Sequence, residues 1–210
     1  MNAALSALDA LLANSSCTQL YIDAGTNVGV QVRKLYEPQR YNATPDPSRA
    51  LRRRHPAFAR AQLAIMRESL RLLEAALGPP PRCHVCSLGF EPNPLLQPQL
   101  RTFEAAMRQA GAGVAVVYGG VAASDGHVRL SYPASAADLH DSMEARLVDA
   151  APGAEDARLA ERLHRGTEAS TVVPTFDLAR VVNHAASRLA RRSRVRWRTR
   201  WTVMSRLQWM

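Results

Sequence analysis

Apolar residues recur along this chain in two periods, one helical and one extended. Leu5, Leu8, Leu11 and Leu12 fall at helical spacing and predict a short amphipathic helix over 2–13, ending near Asn14. Leu63, Met66, Leu70, Leu73 and Leu77 step by threes and fours along a longer helix over 56–77, stopped by Gly78-Pro79-Pro80-Pro81; the stripe reads as core. Leu100, Phe103, Met107 and Ala110 mark a third helix over 98–110, closed by Gly111. Residues 18–22 and 83–90 read as strands, and 114–118 is a continuous apolar run with the composition of a strand buried on both faces. Residues 127–132 alternate after Asp125-Gly126 and predict a further strand. Residues 38–56, rich in Pro, Asn and Arg, read as loop, and 133–153 as a long connection of small residues. A polar helix is expected over 154–165, and an extended piece leading into a helix over 171–182. Strands alternating with helices predict an α/β domain with a mainly parallel sheet.

One stretch breaks this regular texture. The first strand runs into Asp23-Ala24-Gly25-Thr26-Asn27-Val28-Gly29, and a helix-compatible segment follows from Val30 until Glu37-Pro38 interrupts it. Glycine permits a left-handed turn and lets a ligand approach bare backbone. Free amides at a helix start favour an anionic or electron-rich group. The stretch is therefore a candidate nucleotide cradle, although it is not the Gly-x-Gly-x-x-Gly of dinucleotide-binding domains. Glu91 ends the second strand, the place where open α/β sheets bind their ligands.

Asp23 to Gly29 resembles the first motif of class I S-adenosylmethionine-dependent methyltransferases, in the form found in the FkbM-type family. Gly89-Phe90-Glu91-Pro92-Asn93-Pro94 is similar to that family's second motif, and Val121-Ala122-Ala123-Ser124-Asp125-Gly126 to the loop after its third strand. Arg33 to Pro38 is similar to a run in the family's long first crossover, which separates Gly29 from Glu91 by 62 residues here. The resemblance covers about half the chain. It implies a Rossmann-like methyltransferase sheet, S-adenosyl-L-methionine as cofactor, and methyl transfer to a hydroxyl of a small-molecule or glycan-like acceptor.

The resemblance also implies roles for single residues, each beside a plainer one. Asp23 would face the cationic methionine end of the cofactor, or else brace the loop by accepting backbone amides. Gly25 and Gly29 would admit the cofactor, and Thr26 and Asn27 would offer it amides and side-chain polar groups. Glu91 would accept the two ribose hydroxyls, or else stand as a surface acid before a helix. Asn93 is equally a ligand and a cap, and Ala122 with Ala123 would flank the adenine. The six histidines are scattered, and none forms a triad with a serine or cysteine.

Two features set the chain apart from the family. The family's fourth strand, ending in Lys-x-Asp-x-Glu-Gly, has no counterpart; without it one edge of the first strand would lack a neighbour. After residue 187 the composition changes abruptly. Residues 188–210 hold eight arginines and no acid, whereas the rest of the chain carries 19 basic and 18 acidic residues. Of the net charge of +9, eight therefore belong to the tail and one to the rest, and a basic face over the whole domain is not supported. The chain divides into an α/β domain over 1–187 and an Arg/Trp-rich tail over 188–210. The domain reads either as a truncated, inactive product or as one with a genuine appended element. Val195, Trp197, Thr199, Trp201 and Val203 alternate with arginine, a pattern open to edge-covering, to an acidic membrane surface, or to single-stranded nucleic acid.

Composition narrows the class further. Hydrophobic content of 47% fits a globular protein, and no apolar run approaches the ~18 residues of a membrane span. The amino end lacks the basic segment of a secretory signal. Cys17, Cys83 and Cys86 make an odd number, which predicts no disulfide framework and a reducing, cytoplasmic setting. Cys83 and Cys86 have a zinc-like spacing but no second pair, so buried thiols and no metal are expected.

Overall fold

The computed structural model describes residues 2–42, 56–133, 146–148 and 168–192. Of the expected loop over 38–56, Gln39–Asn42 is helical and Pro56 begins a helix, while 43–55, the helix over 154–165 and the tail beyond Arg192 lie outside these residues.

Helix α1 spans Ala3–Ala13 and begins at Asn2, whose side chain accepts the amides of Ala4 and Leu5. Its leucine stripe buries Leu8, Leu11 and Leu12. Strand β1 (Gln19–Ala24) follows, then α2 (Val30–Tyr36) and a single turn of helix, α3 (Gln39–Asn42). Helix α4 covers Pro56–Leu77, as its period and its terminators require. Gly78 leaves it in the left-handed conformation (φ +81°), the usual helix-ending use of glycine. Of the α4 stripe, Leu73 is fully buried, whereas Met66, Leu70 and Leu77 are half-buried, so the stripe is only partly core.

Strand β2 (Val85–Glu91) is buried along its whole length. A short 3₁₀ turn, Pro94–Leu96, leads to α5 (Gln97–Gln109), which presents Leu100, Phe103 and Met107 inward. Strands β3 (Gly113–Tyr118), β4 (Gly120–Ala122), β5 (Gly126–Pro133), β6 (Arg146–Val148) and β7 (Glu168–Asp177) follow, and α6 (Leu178–Arg192) closes the described chain.

The strands form two sheets. β1, β2 and β3 make a three-stranded parallel sheet in that order, with Asp23 opposite Gly89 and Glu91 opposite Tyr118. Among the described residues β1 pairs with β2 alone. The second sheet, ordered β4-β7-β5-β6, is mixed: β4 runs parallel to β7, while β5 is antiparallel to β6 and β7. The expectation of a mainly parallel sheet therefore holds for the first sheet and fails for the second. The long partner of β5 lies past a connection whose composition gives no strand signal. Two further expectations change with it. Residues 120–122 form a strand rather than a loop, and 146–148 form a strand inside the supposed connection.

Helices cover both faces of the parallel sheet. On one side α1 and α6 bury Leu8, Leu12, Val181, Ala185 and Leu189 against Leu88, Phe90 and Val117. On the other, α2 and α5 pack Val32, Leu100, Phe103 and Met107 against Val114, and Leu35 with Leu73 covers Tyr21 and Val85. Each fully buried leucine or phenylalanine contributes about 1.5–3 kcal/mol of transfer free energy, so these clusters are what holds the layers together. Helix α6 runs through residue 187 without a break, and Arg188 on it donates to Asp9 of α1 at 2.6 Å. The compositional change at 188 thus falls within an element.

The cysteines correct the sequence reading. Cys17 and Cys86 form a disulfide with their Cα atoms 5.6 Å apart, and Cys83 is exposed. The register that sets Leu20 beside Cys86 also brings Cys17, two residues before β1, against β2, a proximity that counting cysteines cannot reveal. With the disulfide, the inference of a reducing compartment loses its basis.

Candidate functional site

The carboxyl ends of β1 and β2 lie side by side, and the glycine loop is built between them. Strand β1 continues two residues past the expected Ile22, because Asp23 and Ala24 still pair with Gly89 and Phe90. The chain then turns through three left-handed residues, Gly25 (φ +81°), Asn27 (φ +52°) and Gly29 (φ +82°). Glycine adopts this region without penalty, and asparagine is among the few other residues that tolerate it.

Nearly every amide of the turn is already bonded within the protein. Gly25 N and Thr26 N both donate to Phe90 O, at 2.9 and 3.0 Å. Gly29 N donates to Thr26 O at 2.9 Å, and Asn27 N to Glu91 Oε2 at 2.7 Å. The side chain of Thr26 is turned inward, donating to Asp23 O at 3.2 Å. It lies so close over Gly89 that any side chain there would collide with its Oγ1. Thr26 therefore shapes the loop and offers nothing outward.

Glu91 joins the two loops. Its Oε2 accepts from Asn27 and its Oε1 from Asn93 N at 2.8 Å. Only 6% of the residue is exposed. Burial pushes its carboxyl above the ordinary range, and the two backbone amides only partly oppose that rise. Each carboxylate oxygen retains a second acceptor position, so the group can still receive donors from outside. Asn93 caps the 3₁₀ turn, its Oδ1 accepting from Leu95 N at 3.0 Å. Asp23, at the end of β1, is also buried, with 6% exposed.

The two glycines of the turn differ in their surroundings. Open space faces Gly25, with no atom within 4 Å of where a side chain would begin. At Gly29 that position is 2.8 Å from the ring of Phe103, so the second glycine serves the packing of α5. Phe103 also carries the guanidinium of Arg33 over its ring at 4.8 Å. The sequence showed Phe103 only as a core position. Nothing in its spacing signals that it seats the loop. Gly119 is a second participant missed there: its amide donates to Glu91 O at 3.1 Å and ties the end of β3 to the same rim.

Ala122 lies three residues beyond Gly119, half-buried on β4 opposite Asp177. Asp23, Gly25, Thr26, Asn27, Gly29, Glu91 and Asn93 thus share one rim, and Ala122 stands on the strand leading away from it. A hollow of about 390 Å³ opens at the amino ends of the strands, beside Ser15, Cys17, Cys83 and Gly113, and includes none of these residues. His184 is remote from the rim, its Nε2 2.9 Å from Asp9 on the α1–α6 face. Of the tail arginines that are described, Arg188 is engaged by Asp9, and Arg191 donates to Ser187 O of its own helix.

No protein-family model, no curated protein and no solved structure matches this chain. Among the described residues no helix is long and apolar enough to cross a membrane.

Proposed function

We propose that the rim formed by the glycine loop and Glu91 binds S-adenosyl-L-methionine, and that the chain transfers its methyl group to an acceptor hydroxyl. The observation that carries this reading is the open space over Gly25, in the loop that follows buried Asp23 and is bonded to buried Glu91. A buried anion on each adjoining strand end suits a ligand that is cationic at one end and rich in hydroxyl donors at the other. Asp23 would hold the ammonium end, Gly25 would let the cofactor lie on backbone, and Glu91 would use its remaining acceptor positions for the ribose. Asn27 would present its side chain from the left-handed position, and Ala122 would leave room beside the adenine. Thr26, Gly29 and Asn93 act through the shape of the loops.

When bound, the cofactor would supply an electrophilic methyl group whose bond to sulfur breaks as the bond to the acceptor oxygen forms, the thioether leaving and the hydroxyl proton passing to water, a transfer that needs alignment more than a strong base. The protein's own task is then to position the acceptor and exclude water. Calorimetry on the purified chain tests the proposal: S-adenosylmethionine binds saturably, with an affinity little changed by added salt. No heat of binding at millimolar cofactor would overturn it.

A further inference from the structure

At the amino ends of the strands, Thr18 N and Gln19 N both donate to His84 O, at 2.8 and 3.1 Å. These bonds lay Cys17-Thr18 directly alongside Cys83-His84. The strand register adds Cys86, which faces Leu20 one step further along. Two neighbouring segments thus bring all three cysteines of the chain together. Cys17 and Cys86 hold the disulfide, and Cys83, exposed in the turn before β2, carries the free thiol.

Cys17 and Cys83 border the same hollow of about 390 Å³. Cys86 does not border it. It is wholly buried, and its sulfur rests against Gly113 so tightly that a Cβ there would collide with it.

We propose that this hollow is a thiol–disulfide exchange site, in which Cys83 attacks Cys17 Sγ and expels Cys86. Access decides which sulfur is attacked, since exchange proceeds by a thiolate reaching one disulfide sulfur and releasing the other. Both sulfurs are buried and both lie against Gly113, but Cys17 lines the hollow that Cys83 shares, whereas Cys86 does not line it and is the more tightly covered of the two. Cys83 gives its proton to water, the Cys83–Cys17 bond forms as the Cys17–Cys86 bond breaks, and Cys86 leaves as a thiolate that takes up a proton. No oxidant or reductant is consumed.

The place for the leaving group is prepared. Cys86 Sγ lies 3.1 Å from Ser15 Oγ, whose own proton is donated to Leu11 O at 2.7 Å. Within the disulfide Cys86 has no S–H to offer that oxygen, but once released it does. The exchange moves one end of the cross-link from Cys86 in the core to the exposed Cys83, whose sulfur thiols in solution can reach. The site is at the opposite end of the sheet from the glycine loop and does not depend on the cofactor reading.

The test uses the full chain purified without reductant and incubated at about pH 8, the usual condition for thiol–disulfide exchange. Samples are quenched in acid, alkylated with N-ethylmaleimide in denaturant at mildly acid pH, and mapped by mass spectrometry. Fragment ions between His84 and Val85 distinguish Cys83 from Cys86. The expected result is a Cys17–Cys83 cross-link with alkylated Cys86, growing to a steady fraction beside the original pair; Cys83→Ser shows the Cys17–Cys86 link alone. Finding only Cys17–Cys86 with alkylated Cys83 at every time would overturn the proposal. A second arm is Cys86→Ala, checked for folding by circular dichroism and treated with diamide. Its two titratable thiols should disappear as Cys17 and Cys83 join. Two thiols persisting in the folded variant would equally rule the exchange out.

Discussion

The amide of Asn27 donates to Glu91 Oε2 at 2.7 Å across 64 residues of sequence, and this bond makes one rim of two loops. Glu91→Gln keeps the shape but replaces one acceptor oxygen with a donor group, which then faces another donor, at Asn27 or Asn93. One amide loses its partner, at a cost of about 1–3 kcal/mol. Urea unfolding should show a lower midpoint with an unchanged slope. An unchanged midpoint would mean that the two amides find water as easily as the carboxylate.

The pH dependence of the same residue has a definite sign. Burial raises the folded-state carboxyl above its ordinary 4.5, so just above that value the folded protein holds a proton that the unfolded chain has lost. The contribution to stability is complete below 4.5 and is lost as pH rises through the folded value. Wild type minus Glu91→Gln, measured as unfolding free energy against pH, should fall across that window. A flat or rising difference would contradict the burial argument.

Gly25 and Gly29 should respond differently to the same substitution. Alanine at either position meets the left-handed backbone, worth about 1–2 kcal/mol. At Gly29 the new methyl also meets the Phe103 ring at 2.8 Å, adding about 1–3 kcal/mol of overpacking. Thermal unfolding should therefore place Gly29→Ala well below Gly25→Ala, and Phe103→Leu should recover part of the difference. Gly25→Ala should lose cofactor affinity out of proportion to its small loss of stability. Equal melting temperatures would show that Phe103 yields freely.

How far the site was legible follows from where each signal resides. Helix α4 and its Gly-Pro stop are local patterns, and the structure reproduces them residue for residue. The placement of Asp23 and Glu91 at strand ends was likewise readable, because the apolar runs stop there. What brings these ends together is parallel pairing and the Asn27–Glu91 bond, and neither leaves a mark on nearby sequence. The same holds for Cys17 and Cys86: an odd count suggested free thiols, while the β1–β2 register made a pair. Phe103 and Gly119 were hidden for a related reason, since a residue that supports a loop from a distant element looks like ordinary core or turn.

Helices α1 and α6 are clamped at Asp9, which accepts from Arg188 at 2.6 Å and lies 2.9 Å from His184. Partial burial pushes the Asp9 carboxyl up, but its bonds to His184 and Arg188 and their charges outweigh that and hold it below its ordinary 3.8. A lowered carboxyl stabilises above its unfolded value, and that stability is lost as pH falls through the folded one. Asp9→Asn should melt earlier at neutral pH and show a shallower acid limb, with the difference shrinking in salt because the pair is partly exposed. Parallel acid limbs for the two proteins would show that the clamp carries no charge-dependent stability.

The central claim is that one ligand touches both loops. Amide resonances followed during titration with S-adenosylmethionine test it most directly, since Gly25 and Asn27 report on the glycine loop and Asn93 on the loop after Glu91. The account predicts that all three shift together along one saturation curve, while Gly113, beside the distant hollow, stays still. Shifts confined to one loop, or gathered around Gly113, would contradict it.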